Sequence, residues 1–335
     1  MKKIEVLSYG EALVDFLPNQ GGKLLRDVDT FHKTSGGAPA NMAIGLARLG
    51  RSVGLMGAVG QDEFGWFLRN HLESEGVDVS GVYMTDEAKT GITFVSLDAN
   101  GERSFMFFRQ PSADTMFKPE DINVETIEHC SIFIAGSNLL VTPEVREATF
   151  TALDHARNFG KFIIIDPNIR LHLWENHDFA RSLIQRLLSY ADVVKLNDDE
   201  MEFLGASADA ATFYHEELEP AGVKALIATR AERGAEVFCG PVHSTALAPK
   251  LKVVDTTGAG DGFVAGFVAG LCLEHEQHGP TQADSLRKLI STWDQNAWRR
   301  ILNLGCWVGS TVCTQFGATT ALPKSTDVPW DGLGF

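Results

Sequence analysis

Six short apolar runs, interspersed with stretches of helical spacing, restrict the fold of this 335-residue chain more than any other feature. They are "IEVLSYG" (4–10), "SVGLMGAVG" (52–60), "SIFIAGS" (131–137), "FIIIDPN" (162–168), "VVKLN" (193–197) and "ALIATR" (225–230). Their apolar residues are nearly continuous and rich in β-branched types, which is the pattern of a strand buried on both faces. Helical segments fall at 39–49, 63–75, 143–159, 178–189, 261–273 and 299–315. That succession predicts an α/β fold of βαβ units, with a largely parallel central sheet flanked by helices.

Two stretches, 13–34 and 83–110, carry strand signals without helices between them. In the second, "GITFVSLDANGERSFMFFR" alternates on both sides of Asn100-Gly101, a hairpin signal. These strands fit no βαβ unit and predict a small antiparallel sheet beside the main one, such as a lid. Residues 274–298 are polar and read as an inserted loop and helix.

The net charge of −15 argues against a nucleic-acid partner, which calls for a basic field. Five cysteines, an odd number without a Cys-x-x-Cys, point to reduced thiols and a cytoplasmic protein. Glu5 and Glu11 break up any signal-peptide core, and the longest apolar run, 263–273, is too short to span a bilayer. No membrane partner is expected.

The stretch "VVDTTGAGDGF" (253–263) places three glycines around Asp261, directly before the apolar helical segment. Glycines there let backbone N–H groups converge on one spot at a helix N-terminus, an anion site suited to phosphate. The same residues also fit a tight turn with Asp261 as its cap. At a helix N-terminus Asp261 is expected to have a lowered pKa. A dinucleotide fingerprint needs glycine where Phe263 stands, and a P-loop needs the Lys-Ser/Thr pair that Gly262-Phe263 does not supply.

A second glycine cluster, Ser35-Gly36-Gly37-Ala38-Pro39-Ala40-Asn41, is followed by Gly50 and Gly60. Together with "DTTGAGDGFVAGF" it resembles the two signature motifs of the PfkB, or ribokinase-like, carbohydrate kinase family. The motifs stand in the family's order and the resemblance covers nearly the whole chain, read as one domain, 1–335. The stretches "GEALVDFLP", "GQDEFG", "FMFFRQPSAD", "DPNIRLHLW" and "KLNDDEMEFL" are similar to fructokinases within that family.

The resemblance implies a Rossmann-like domain with a small β-sheet lid built from about 13–34 and 83–110. It implies a homodimer formed through that lid, and ATP-dependent phosphorylation of a neutral sugar, D-fructose, at its 6-hydroxyl. Asp261 matches the catalytic base, and the N–H groups of Gly258, Ala259 and Gly260 the anion hole. Asp15, Gly36, Gly37, Asn41, Arg109 and Arg170 match sugar-binding positions, with Arg109 reaching down from the lid. Asn197, Glu200, Thr229, Gly234 and Asn303 match ATP-binding positions. Glu200 would organise Mg2+ through water, and Asp255 and Thr257 would hold K+. Ordinary readings stand beside these: Asn197 and Glu200 also fit a helix cap, Asn41 a helix start, and Arg109 an edge-strand charge.

Two departures carry information. Ala231 stands where the family's nucleotide turn has a glycine. Phe107 stands where 2-keto-3-deoxygluconate kinases have a tyrosine two residues before the lid arginine, which favours a neutral sugar. That kinase and ribokinase are the alternatives within the family. A non-catalytic, sugar-sensing relative would be expected to lose Asp261 or the glycines. His172, His177, His275 and His278 make no metal site, and His275-x-x-His278 is expected in an exposed segment.

Overall fold

The computed structural model describes residues 4–19, 22–97, 103–206, 209–277, 279 and 281–335. Among the described residues thirteen strands form two sheets. Nine belong to the large one: β1 (Val6–Tyr9), β4 (Val53–Gly60), β5 (Asp78–Thr85), β8 (Ile132–Ala135), β9 (Phe162–Ile165), β10 (Val193–Asn197), β11 (Ala225–Thr229), β12 (Ala235–Cys239) and β13 (Val242–Ala246). Their order is β13-β12-β11-β10-β9-β8-β1-β4-β5, parallel from β11 to β5, with β12 and β13 antiparallel at one edge. The small sheet has the order β3-β2-β6-β7, from β2 (Leu13–Pro18), β3 (Phe31–Gly36), β6 (Ile92–Leu97) and β7 (Arg103–Phe108).

The continuous apolar runs are explained by burial on both sides. Phe162 and Ile164 enter the core on one face of the large sheet, while Ile163 and Ile165 enter the core on the other. The first face is covered by the Ala38–Arg48, Ala259–Glu276 and Gln295–Val312 helices, the second by Pro143–Asn158 and His177–Leu188.

The stretch 83–110 divides. Tyr83–Thr85 finish β5 in the large sheet, and only residues from Ile92 onward join the small one. The expected Asn100-Gly101 turn lies outside the described residues. The expected loop-plus-helix at 274–298 is shorter, because the Ala259–Glu276 helix runs into it before a separate helix, Ala283–Leu289. Arg287 of that separate helix anchors it, its Nε and Nη2 donating to Asp192 at 2.7 and 2.9 Å. His275 is buried inside the long helix, contrary to the exposed setting expected for it, and His278 lies outside the described residues.

The glycines of "DGFVAGFVAG" let two helices nearly touch. A Cβ on Gly266 would lie 2.7 Å from the Leu304 carbonyl oxygen, and one on Gly309 would lie 2.8 Å from that of Ala259. Such close approach fixes the N-terminal end of the Ala259–Glu276 helix against the Gln295–Val312 helix. No helix among the described residues is long and apolar enough to cross a membrane.

Candidate active site

The two glycine clusters meet at the C-terminal ends of the parallel strands, where open α/β sheets place their ligand crevice. Gly258 caps the Ala259–Glu276 helix in a left-handed conformation, φ +77°, and a side chain there would collide with Ala318. Asp261 is the third residue of that helix. Gly37, φ +96°, starts the Ala38–Arg48 helix, on whose first turn Asn41 projects. Asn41 Nδ2 donates to Asp261 Oδ2 at 2.8 Å across 220 residues of sequence. The Asn41 Oδ1 acceptor is buried with no hydrogen-bond partner. An orphaned buried acceptor costs about 1–3 kcal/mol, so it is best satisfied by a ligand's hydroxyl.

Asp15 of β2 packs onto the backbone of Gly36, where a Cβ would lie 2.0 Å from its Oδ2. The Asp15 pKa is raised to about 7, chiefly by burial and also by the Asp261 and Glu11 carboxylates, against the Thr93 hydroxyl, which lowers it. The lowered pKa expected for Asp261 is not found. Burial raises it, and this exceeds the opposing effects of the Asn41 hydrogen bond and of the Arg170 and Lys195 charges. A helix N-terminus favours an anion by about 0.3–1 kcal/mol when exposed, less than desolvation of a buried carboxylate can cost.

Arg170 is exposed beside this group. Arg109, expected to reach down to the sugar, is held by acidic partners. It is buried just beyond β7, with Nε donating to Asp114 at 2.6 Å and Glu11 3.9 Å away. It lines a hollow of about 1150 Å³ bordering β7, with Phe107, His172 and Trp174.

On the other side of Asp261 lies a cavity of about 520 Å³. Asn197, Thr229, Ala231, Gly234, Ala259 and Gly260 line it, so most of the expected nucleotide positions converge. Ala231 takes the left-handed conformation of the glycine it replaces, φ +49°. Asn303 does not line this cavity. It lies a turn nearer the start of its helix, its Nδ2 donating to the Leu333 carbonyl at 3.5 Å, while Cys306 and Ser310 take the lining positions.

The Ala259 N–H points back to the Thr256 carbonyl at 3.3 Å. Among the described residues no acceptor is found for the N–H groups of Gly258 and Gly260, which leaves those two better placed for an anion than Ala259. Asn197 and Glu200 form a reciprocal cap. Glu200 N–H donates to Asn197 Oδ1 and Asn197 N–H to Glu200 Oε2, both at 2.8 Å, and Ile169 N–H donates to Glu200 Oε1 at 2.9 Å. Asp255 folds the loop. Its Oδ1 accepts from Thr257 N–H and Oγ1–H at 3.0 and 2.7 Å, and its Oδ2 from Gly317 N–H at 2.9 Å.

Lys195 was missed in sequence. On β10 it is buried, lines the cavity, and its Nζ donates to Asp166 Oδ1 at 3.1 Å. Its Nζ is 3.6 Å from where a Gly260 Cβ would stand. Burial raises Asp166 to about 6, opposed by Lys195. A charged residue inside an otherwise apolar parallel strand was the available signal.

The description pfkB family carbohydrate kinase matches residues 3–325. Fructokinase-2 of Solanum lycopersicum is 35% identical over 327 residues, covering 96% of this chain and 94% of its own. Fructokinase-1 of Zea mays is 35% identical over 323 residues, covering 96% of each. A fructokinase structure with bound ATP from Xylella fastidiosa superposes with a TM-score of 0.84 at 32% identity, covering 99% of this chain and 98% of that one. A Vibrio cholerae O395 fructokinase double mutant in a fructose, ADP and potassium ion bound form gives 0.81 at 28% identity, covering 97% of each. With both signature clusters joined in one site and the family matched over nearly its whole length, the chain belongs to the pfkB family of carbohydrate kinases.

Proposed function

We propose that this chain is an ATP-dependent fructokinase that converts D-fructose to fructose 6-phosphate, with Asp261 as the base. The observation that carries the reading is the hydrogen bond from Asn41 to Asp261, which joins the two glycine clusters at one carboxylate. Fructose lies on the side of Asp15, Gly36, Gly37, Asn41 and Arg170. ATP lies in the cavity lined by Asn197, Thr229 and Gly234. The 6-hydroxyl passes its proton to Asp261 as its oxygen forms the bond to the γ-phosphorus, and the bond to the β-phosphate oxygen breaks to release ADP. Transfer of this kind depends on positioning and on stabilising charge. The Gly258 and Gly260 N–H groups and the Lys195 ammonium supply that stabilisation.

Each Glu200 oxygen accepts one N–H and keeps a second lone-pair direction, so Asn197 and Glu200 fit the water shell of a Mg2+ carried with ATP. Mg2+ there neutralises phosphate charge. Both Asp255 oxygens are engaged in the loop, so K+ near Asp255 and Thr257 would be held chiefly by backbone carbonyls, as befits a hard cation.

Neutral sugar is favoured over 2-keto-3-deoxygluconate by the charges nearby. Glu11, Asp166 and Asp261 are buried acids with the partly buried Asp15 beside them, and the buried cations Arg109 and Lys195 are already paired with Asp114 and Asp166. A substrate carboxylate would meet this concentration of acids and would have to rely on the exposed Arg170 for a counter-charge. The small sheet is read as the lid of a single kinase domain. On one face Phe94 stacks on the partly buried Phe16, and Met106 and Phe108 beyond them are exposed; we assign this exposed part to a homodimer contact. Five free, buried cysteines suit a reducing cytoplasm.

The test is ADP release with fructose, ribose, 2-keto-3-deoxygluconate, adenosine, glucose and fructose 6-phosphate. The highest kcat/KM is expected on fructose, and a better substrate on the panel overturns the assignment. Asp261→Asn is expected to lower kcat by roughly 10²–10⁴-fold, and near-normal turnover removes the base role.

A further inference from the structure

We infer that Asn41 is a positioning residue for Asp261: beyond holding the sugar, it fixes which carboxylate oxygen receives the proton and how readily it does so. The inference rests on the proposed role of Asp261 as base.

The geometry carries it. Only the amide NH2 can face a carboxylate at 2.8 Å, so the orientation of the Asn41 side chain is determined by its partner. Both residues are buried, which strengthens a charge-assisted bond. Asp261 Oδ2 already accepts the Asn41 N–H, while Oδ1 has no such donor among the described residues, which makes Oδ1 the more open oxygen for an incoming hydroxyl. The orphaned Asn41 Oδ1 lies on the same amide, so one side chain can accept from the sugar while it donates to the base. A sugar donating to that oxygen polarises the amide and strengthens its N–H toward Asp261. Recognition and readiness for proton transfer are thereby linked through a single group.

The other charged groups acting on this carboxylate are Arg170 after β9, Lys195 on β10, Asp166 at the end of β9 and Asp15 on β2. The two cations favour the anion and the two acids oppose it, as burial does. Among these Asn41 is the only one to hydrogen-bond Asp261 directly in the described residues, and its bond opposes the rise that burial imposes.

The experiment is the pH profile of kcat at saturating fructose and ATP for wild type and Asn41→Leu. Loss of the bond is expected to move the acid limb to higher pH by about one unit, the tenfold change in proton affinity that one charge-assisted hydrogen bond is worth. A residue that only holds the sugar would raise KM and leave the limb in place, and that result overturns the inference. If Asn41→Leu fails to fold by circular dichroism, Asn41→Ser, smaller and still polar, is read the same way. Turnover retained in Asp261→Asn would refute the base itself. An inactive Asp261→Asn with an unmoved limb in the Asn41 variant would refute only the coupling.

Discussion

Replacing Gly266 by alanine tests whether close helix packing holds the catalytic end of the molecule in place. The added Cβ would meet the Leu304 carbonyl oxygen at 2.7 Å, Val308 Cγ2 at 2.9 Å and Gly305 Cα at 3.0 Å. Two of these three atoms are backbone, so no rotamer change relieves the contact. Overpacking costs about 1–3 kcal/mol, and a backbone clash belongs at the upper end. Alanine returns about 1 kcal/mol of helix propensity. The net is a loss of roughly 2 kcal/mol. Gly270→Ala, one turn on, is the internal comparison. Its Cβ would meet Ile301 Cα at 3.1 Å and Cγ2 at 3.4 Å, contacts that yield with a shift of a few tenths of an ångström. There the propensity gain offsets the crowding, and stability should be nearly unchanged. Urea unfolding of both variants, followed by fluorescence, gives the comparison. Gly266→Ala as stable as Gly270→Ala would refute the packing argument.

Two further perturbations probe the charges. Lys195→Met leaves Asp166 buried and unpaired, a loss of about 3–5 kcal/mol when its carboxylate is charged. The Asp166 pKa then climbs above about 6, so the variant should lose more stability at pH 8 than at pH 6, and equal losses would contradict the pairing. Asp15 is raised in the folded state to about 7 from 3.8, so the folded chain holds a proton that the unfolded chain has released, and stability falls as pH rises across that window. Asp15→Asn should flatten the fall between about pH 4 and 7, and an unchanged slope in denaturation midpoints would rule Asp15 out as its source.

The large sheet was legible because burial on both faces leaves a local signature, nearly continuous β-branched runs such as "FIIID". β5 was not recognised, since "DVSGVYMT" is an edge strand with exposed Ser80 and Tyr83 and an irregular register near Gly54 and Met56 of its neighbour. The cluster of Asp15, Gly37, Asn41 and Asp261 was found through paired motifs. Its electrostatics were not, because the pKa of Asp261 is set by burial against groups as distant in sequence as Asn41, which no local helix rule contains. Lys195 escaped notice for the same reason. Its partner, Asp166, is 29 residues away just beyond the next strand, and only the sheet brings the two together. Asn303 stands one helical turn from the cavity wall, a distance that motif matching does not show.

The wedging of the Ala259–Glu276 helix has a consequence for how such a protein can change its substrate. Its N-terminal end is held by Ala318 at Gly258, by the Gln295–Val312 helix at Gly262 and by Asn41 at Asp261. The Asp261 carboxylate is thus anchored from three directions, none of which is the small sheet. Thr93 and Phe107, opposite each other on β6 and β7, lie outside that frame. Under the proposed function, substitutions there can remodel the sugar side while the Asp261 carboxylate keeps its place. Selection for a new sugar would therefore be expected to leave its record in the small sheet, with the helix glycines unchanged.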